Sequence, residues 1–266
     1  MSMQDRINTY WSKRAEEFSE FRLKELAGPQ HNQWMHFLRT QLPQGKEKIR
    51  ALDCGTGAGF YAFLLSELGC ETTAIDYSGD MIEQCEANAK MLRYPPIRFL
   101  QMDAQQMTFE DESFDFIISR NVTWTVPEPE KIYGEWYRLL APGGVVVNID
   151  ANYGYVFKKA DESGWTEKEN AKWENSPQKL IGTRPDMVNE RNDIAKNLSI
   201  AAEVRPQWDL DLMLRLGFSE VSATPNVMVK IFPEMAKIEW PRNENNPFTA
   251  DKDAPDTRIF MVKGIK

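Results

Sequence analysis

Histidine and cysteine are scarce in this chain, which has two and three of them among 266 residues. His31 and His36 are five positions apart, so on a helix they lie on different faces. Cys54, Cys70 and Cys85 form no Cys-x-x-Cys pair of the kind that structural zinc sites use. We therefore expect no metal site, and we expect reduced thiols that fill space in or near the core.

A long apolar run and an excess of basic charge are also missing. No stretch approaches the roughly 18 uninterrupted apolar residues that a membrane-spanning helix needs, and the first residues, MSMQDRINTYWSKRAEEF, are polar and amphipathic rather than an apolar leader. The formal charge is −8, whereas nucleic-acid binding relies on lysine and arginine to neutralise phosphates. These absences predict a cytoplasmic protein whose partners include neither membranes nor nucleic acid.

The overall composition, with 42% hydrophobic and 27% charged residues, is typical of an ordinary globular protein. Helical spacing over residues 7–41, broken at Gly28-Pro29, predicts two helices. From Ile49 onward, short apolar runs alternate with amphipathic segments. The predicted strands are 49–54, 71–76, 97–102, 113–119 and 145–150, and the predicted helices are 58–68, 79–92 and 129–140. This alternation predicts a doubly wound, mostly parallel α/β sheet.

The alternation stops after Ala151 and resumes with a predicted helix at 207–218 and strands at 218–223 and 257–265, seven strands in all. A long insertion in a compact domain usually forms a lid or a binding element. We therefore divide the chain into four parts: an N-terminal helical cap, 1–45; a cofactor-binding core, 46–151; a lid or acceptor insertion after strand five, 152–206; and the remainder of the core sheet, 207–266.

A glycine-rich turn, Asp53-Cys54-Gly55-Thr56-Gly57-Ala58-Gly59, lies where the first strand ends and a helix begins. Residues without Cβ allow a tight bend and the close approach of a ligand. A dinucleotide fingerprint that begins at Gly55 would need Gly or Ala at position 60, where this chain has Phe60. Asp76 ends the second strand, where a carboxylate can accept both hydroxyls of a ribose. The turn and Asp76 predict a cofactor that contains a nucleoside, but they do not identify which cofactor it is.

Five motifs occur in a fixed order along about a hundred residues. They are Asp53-x-Gly55-x-Gly57-x-Gly59, Asp76 ending strand two, Asp103-Ala104 ending strand three, Ser119-Arg120-Asn121 after strand four, and Leu140-x-Pro142-Gly143-Gly144 before strand five. Together they resemble the Rossmann-like class I S-adenosylmethionine-dependent methyltransferases of the ubiquinone/menaquinone-biosynthesis-like (methyltransferase type 11) group. Tyr10-Trp11-x-x-Arg14-Ala15-x-x-Phe18 is similar to the helix that caps the cofactor in that group.

The resemblance implies a role for each matching residue. The implied cofactor contacts are Asp53, Gly55, Thr56, Gly57 and Gly59 at the methionine part and its amino group, Asp76 at the ribose hydroxyls, Tyr77 and Met81 beside the adenine, Asp103 and Ala104 at the adenine amino group, Arg120 and Asn121 at the methyl-transfer chamber, and Tyr10 and Trp11 in the cap. Trp124, Tyr153 and Tyr155 are candidates for the acceptor pocket. Simpler roles stay open: a helix cap for Asp76, an Asx-turn for Asp103, and core packing for the aromatic residues.

The expected reaction is in-line methyl transfer to a small-molecule acceptor. The sequence identifies no catalytic base; a carboxylate or tyrosine of the lid, or His36, is one hypothesis, and an acceptor that is already a good nucleophile is the other. Two further functions stay open, a non-catalytic cofactor-binding or regulatory module and an NAD(P)-dependent oxidoreductase. Asn246-Pro247-Phe248 is similar to the base-binding tetrapeptide of nucleic-acid methyltransferases, but it lacks the second proline and lies between the last two strands. Monomer and homodimer are both compatible with the sequence.

Overall fold

The computed structural model of the chain describes residues 1–162, 187–234 and 259–266. The centre of the predicted lid, 163–186, and Asn246-Pro247-Phe248 lie outside these ranges. The described strands are β1 Arg50–Cys54, β2 Glu71–Asp76, β3 Arg98–Gln101, β4 Phe114–Arg120, β5 Leu140–Asp150, β6 Glu220–Thr224 and β7 Phe260–Ile265. The described α-helices are α1 Met3–Ser12, α2 Ala15–Leu26, α3 His31–Gln41, α4 Phe60–Glu67, α5 Gly79–Leu92, α6 Pro129–Leu139, α7 Tyr153–Glu162, α8 Val188–Lys196, α9 Gln207–Leu216 and α10 Val227–Ile231.

The seven described strands form one sheet in the order β3-β2-β1-β4-β5-β7-β6. Strands β1 to β5 pair in parallel, whereas β7 is antiparallel to both of its neighbours. The chain therefore moves outward in one direction from β1 to β3 and in the other from β4 onward. In such open sheets ligands bind beyond the carboxyl ends of the strands where the direction reverses, which here is between β1 and β4.

Helices cover both faces of the sheet, so the residues of the central strands are buried almost without interruption. Ala51 faces a cluster that includes Trp34 of α3 and Leu64 of α4. The next residue, Leu52, faces the opposite cluster, which includes Trp136 of α6. The predicted doubly wound architecture is thus confirmed, and β2 and α5 begin and end at the predicted residues.

The N-terminal region forms three helices, so the prediction of two is wrong. The additional break follows Ser12, where the sequence has neither glycine nor proline to mark it. Arg14 is fully buried there; its Nη1 donates to the Tyr10 hydroxyl at 3.0 Å, and its guanidinium lies 5.4 Å from the Trp11 ring centroid. Helical spacing of the aromatic residues continues across the break, which is why the pattern alone does not show it.

Strand β5 begins at Leu140, five residues earlier than predicted. Leu140 pairs with Phe114 of β4, and the register then shifts before Val145 pairs with Phe116. Pro142-Gly143-Gly144 therefore interrupts the pairing within the strand rather than preceding it. Glycine and proline often follow the end of a helix, whereas here they mark an irregularity inside a strand.

Helix α1 packs on α8, which follows it in the chain by almost two hundred residues. Arg6 pairs with Glu190 at 3.0 Å and with Asp193 at 2.8 Å, and Ile7 and Ile194 belong to the same apolar cluster. The N-terminal cap and the end of the predicted lid thus form one layer. Across the described ranges, no helix combines the length and the apolar character that crossing a membrane requires.

Candidate functional site

The glycine-rich turn after β1 is anchored to β2. The backbone N–H groups of Gly55 and Thr56 both donate to the Ile75 carbonyl, at 2.9 and 2.8 Å. Gly55 has φ +75°, and a Cβ at this position would lie 2.2 Å from a methyl carbon of Val122. Gly57 and Gly59 have φ of +55° and +92°. The turn therefore needs glycine for its backbone conformation and for its contact with the segment after β4.

Asp53 braces this turn from beneath. Its carboxylate is 1% exposed, and one oxygen accepts from Thr56 Oγ1 at 2.6 Å and from the Ala62 N–H at 2.9 Å. Helix α4 begins after Gly59, which has no side chain to cap it, so Asp53 satisfies an N–H group of the first turn instead. Burial, opposed by these two hydrogen bonds, raises the pKa of Asp53 to about 7.

The substitution Asp53→Asn is expected to remove a pH dependence of stability while it keeps an oxygen that can accept both hydrogen bonds. The folded-state pKa of Asp53 is raised from 3.8 to about 7. The stability that the protonated side chain contributes is therefore fully present below about pH 4 and is lost as the pH rises through about 7. The free energy of unfolding of wild type relative to Asp53→Asn should fall over this range, by at most about 1.4 kcal/mol per pH unit.

Urea unfolding of both proteins between about pH 5 and pH 8 measures this difference. Asp80→Asn, at an exposed position in the first turn of α5, is the control and should follow the wild type. Parallel curves for wild type and Asp53→Asn would show that Asp53 does not titrate in this range.

Asp76 lies at the carboxyl end of β2 beside the turn. One carboxylate oxygen accepts from the Gly57 N–H and the other from the Ser78 N–H, both at 2.9 Å. The cap of α5 is Ser78, whose hydroxyl accepts from the Met81 N–H at 3.3 Å, so Asp76 is not the cap residue. Asp76 is half-buried, and burial raises its pKa against the opposing effect of backbone N–H groups, that of Tyr77 included. Two adjacent acceptors of this kind fit a pair of vicinal hydroxyls.

Only some of the residues that the resemblance assigns to the adenine are accessible to a ligand. Tyr77 is 37% exposed beside Asp76, whereas Met81 is 1% exposed and belongs to the interior. Asp103 forms an Asx-turn, accepting from the Gln105 N–H at 2.8 Å. Ala104 is half-buried and packs against the apolar core. The half-buried Asp103 and exposed Tyr77 are thus the side chains that a planar ligand can reach.

Aromatic residues of α1 and α7 meet over the segment that follows β4. Trp11 Nε1 donates to Thr125 Oγ1 at 3.2 Å. Trp124 and Tyr153 pack edge to face, with ring centroids 4.9 Å apart. Tyr10 is buried in the cluster between α1 and α8, so core packing accounts for it. Tyr155 is two residues beyond Tyr153 on α7 and projects from another face of the helix.

A buried ion cluster, which the sequence did not reveal, lies beside Arg120. Arg120 Nη1 donates to Glu25 of α2 at 3.1 Å, and Arg22 pairs with the same carboxylate. Trp34 Nε1 also donates to Glu25, at 3.1 Å. Burial alone would raise the pKa of Glu25, but the two arginines outweigh it and lower that pKa to about 2. Asn121, next in the chain, has φ +57° and donates its backbone N–H to the Ile149 carbonyl.

A second buried cluster holds the Trp124 segment in place. Arg205 is fully buried and binds Asp150 at 3.2 Å and Asp209 at 2.6 Å. Asp150 in turn accepts from the Trp124 N–H at 3.1 Å and from the Thr123 hydroxyl. The segment at Trp124 is thus fixed to the end of β5 by charged groups away from water.

Neither histidine reaches this edge of the sheet. His36 is exposed on α3, and His31 lies 2.9 Å from Glu67, at the opposite end of α4 from the glycine turn. The structure therefore gives no support to His36 as a base. Tyr153 does lie at the site, but burial, together with the charge of Asp150, raises its pKa to about 12. A hydroxyl with so high a pKa is protonated near neutral pH and serves poorly as a general base.

A doubly wound sheet with this strand order, a glycine turn after β1 and an acidic residue ending β2 defines the Rossmann-like class I methyltransferase fold. Residues 52–148 match the family model described as a methyltransferase domain. Through this segment the chain contains a class I S-adenosylmethionine-dependent methyltransferase domain, as the resemblance implied.

Two curated relatives show where the similarity lies. Phosphatidylethanolamine N-methyltransferase of Cereibacter sphaeroides is 30% identical over 143 residues, which is 53% of this chain and 66% of the relative. Demethylmenaquinone methyltransferase of Thermus thermophilus is 35% identical over 107 residues, 40% of this chain and 48% of the relative. The chain thus spans between about half and two thirds of the length of these relatives.

A solved structure extends the similarity to the whole fold. Phosphoethanolamine N-methyltransferase 2 of Haemonchus contortus, in complex with phosphomonomethylethanolamine and S-adenosylhomocysteine, superposes with a TM-score of 0.60 at 16% identity. The match covers 100% of this chain and 61% of that one. It supports the α/β fold, and S-adenosylmethionine is the cofactor that defines the family.

Proposed function

We propose that this protein transfers the methyl group of S-adenosylmethionine to a small-molecule acceptor. The observation that carries the proposal is the carboxylate of Asp76, whose two oxygens are fixed by backbone N–H groups at the end of β2, beside the glycine-rich turn. These two acceptors fit the two ribose hydroxyls of the cofactor. The adjoining turn, held by Ile75 and Asp53, brings backbone rather than side chains towards the methionine part.

The cofactor, when bound, supplies a methyl group that its sulfonium already activates. What remains for the protein is to align donor and acceptor and to exclude water, and proximity and orientation can contribute roughly 7–11 kcal/mol. Asp76 and Tyr77 would position the nucleoside, and Asp103 would accept the adenine amino group. Asp53 would act mainly by holding the turn, since one of its oxygens already serves Thr56 and Ala62.

The acceptor would lie between the cap and the lid. We assign residues 1–45 to the cap, 46–151 and 207–266 to the core, and 152–206 to the lid. The contacts of Trp11 with Thr125 and of Trp124 with Tyr153 support this place for the acceptor, because they join cap, core and lid above the ends of β4 and β5. These aromatic surfaces would exclude water from the reacting atoms.

Calorimetric titration with S-adenosylmethionine and S-adenosylhomocysteine tests the proposal. Wild type should bind both in the micromolar range, and Asp76→Ala should weaken binding by about 100-fold or more, because two hydrogen bonds to a carboxylate are lost. Asp80→Asn, an exposed position four residues away, is the matched control and should bind as wild type does. A folded wild type that binds neither compound would overturn the proposal.

A non-catalytic binding module is the second candidate, because neither histidine reaches the site and burial raises the pKa of Tyr153 to about 12. Cofactor with a radioactive methyl group separates the two functions. Label that moves from S-adenosylmethionine into a small molecule, in cell extract supplied with the protein, would establish transfer, and Asp76→Ala should abolish it. Tight cofactor binding without transfer to any fraction would favour the binding module.

A further inference from the structure

The ion cluster beside Arg120 contains more positive than negative charge. Arg22 and Arg120 both bind the Glu25 carboxylate, and the three side chains are 8%, 11% and 16% exposed. Two guanidinium groups and one carboxylate leave one positive charge uncompensated. Arg22 also interacts electrostatically with the carboxyl group of Asp53, but that group already accepts hydrogen bonds from Thr56 and Ala62. A surplus charge in so dry a place is unfavourable unless an anion joins it.

The cluster also contains hydrogen-bond donors that have no acceptor among the described residues. The Tyr61 hydroxyl and Arg120 Nε are buried and have no hydrogen-bond partner in the described part of the chain. Tyr61 is 3% exposed, and the Arg120 guanidinium carbon lies 6.0 Å from its ring centroid. Leaving such a donor unpaired is unfavourable, and more so for a charged group. Surplus charge and unpaired donors together describe a binding site for an oxyanion.

The position of the cluster assigns it to the acceptor side. Arg120 ends β4, whereas Asp76 ends β2, and β1 lies between them. Neighbouring strands are about 4.8 Å apart, so the two strand ends are separated by roughly 10 Å. On the other side, Arg120 and Arg22 both act electrostatically on Tyr153, which packs against Trp124. The surplus charge thus borders the proposed acceptor chamber, away from the nucleoside.

We propose that Arg22, Arg120 and Tyr61 bind a carboxylate or phosphate group of the methyl acceptor. The acceptor is then an acidic small molecule. Its oxyanion compensates the surplus charge, accepts a charge-assisted hydrogen bond from Arg120 Nε and accepts from the Tyr61 hydroxyl. Glu25 keeps both guanidinium groups oriented and ionised. This inference rests on the proposed function, because it names the chemical class of the acceptor.

Calorimetric titrations of small anions into protein saturated with S-adenosylhomocysteine test the site. The probes are benzoate, phenyl phosphate and inorganic phosphate, with benzamide as the neutral match of benzoate, all at one ionic strength. The variant Tyr61→Phe removes only the unpaired hydroxyl, so the fold should not change. Arg120→Met keeps the Glu25 pairing with Arg22, and Arg39→Met, at an exposed position on α3, is the control for the loss of a positive charge.

Wild type should bind benzoate or the phosphates and not benzamide, and the preferred probe identifies the anion as a carboxylate or a phosphate. Tyr61→Phe should weaken anion binding by about tenfold, Arg120→Met should weaken it further, and Arg39→Met should leave it unchanged. The affinity for S-adenosylhomocysteine should stay within about twofold in Tyr61→Phe and Arg39→Met.

Three results would overturn the inference: no anion binding by wild type, equal binding in Tyr61→Phe, or a parallel loss of S-adenosylhomocysteine affinity, which would mean that the cluster holds the carboxylate of the cofactor. Failure of wild type to bind S-adenosylhomocysteine would instead be a failure of the proposed function. The same titrations on protein without S-adenosylhomocysteine then decide the oxyanion site: binding that Tyr61→Phe weakens supports it, and unchanged binding overturns it.

Discussion

Alanine in place of Arg205 is expected to lower the free energy of unfolding by about 3–5 kcal/mol, because it leaves two carboxylates buried without their counter-ion. Asp150, Asp209 and Arg205 are all fully buried. The guanidinium also donates to Thr123 Oγ1 at 2.7 Å and stacks on Phe260 at 4.9 Å. The loss therefore includes charge, hydrogen bonds and packing together.

Urea unfolding followed by circular dichroism measures this effect. Arg205→Lys should lie between wild type and alanine, because an ammonium group cannot reproduce the forked contacts to Asp209 and Thr123. Arg215→Ala, at an exposed position at the end of α9, is the matched control and should change stability by less than about 0.5 kcal/mol. A similarly small change in Arg205→Ala would mean that the stability of the fold does not depend on pairing Asp150 and Asp209 with the arginine.

Alanine in place of Gly55 is expected to lower the free energy of unfolding by about 2–5 kcal/mol and to weaken cofactor binding. The added Cβ would lie 2.2 Å from Val122 Cγ2, and φ is +75°. The left-handed backbone conformation costs alanine about 1–2 kcal/mol, and overpacking adds about 1–3 kcal/mol. Because Val122 follows Asn121 at the end of β4, relief of the clash would push this segment away from the turn.

Two further variants separate backbone strain from steric overlap. Gly69 has φ +81°, and a Cβ added there would have no neighbouring atom within 4 Å, so Gly69→Ala should show the backbone effect alone. Adding Val122→Ala to Gly55→Ala should restore part of the lost stability, which a double-mutant cycle measures. If Gly55→Ala is no more destabilising than Gly69→Ala, Val122 does not confine the turn.

The core of the fold could be predicted because its signals are local. Short apolar strands alternate with amphipathic helices, and Ser78 before α5 marks the start of that helix. Strand β7 was also expected, but its place between β5 and β6 was not. The order of strands depends on pairings between distant segments, and no local pattern encodes them. The break between α1 and α2 could not be predicted either, since neither glycine nor proline marks it.

The candidate site also contains some residues that could be predicted from the sequence and others that could not. The glycine turn and Asp76 could be identified because close approach and ribose binding restrict residue types at fixed positions. Glu25 could not be identified, because its partner Arg120 is 95 residues away and a glutamate on an amphipathic helix has the pattern of a solvated face. Arg205 and Asp150 are 55 residues apart. A charged residue such as Asp150 directly after VVVNI, at the end of a buried strand, was the one signal that could have pointed to this cluster.

The position of β7 has a consequence for synthesis of the chain. Within the described residues β6 pairs with β7 alone, and β7 follows it in the sequence. All five parallel strands precede Ala151, so the glycine turn and Asp76 can be assembled while later residues are still being added. Until residues 260–265 leave the ribosome, however, β6 has no partner and the edge of β5 stays unpaired. Such open edges promote aggregation. The nascent protein therefore passes through a stage in which the strands that carry the glycine turn and Asp76 can pair, while the sheet still lacks β7 and the pairing of β6.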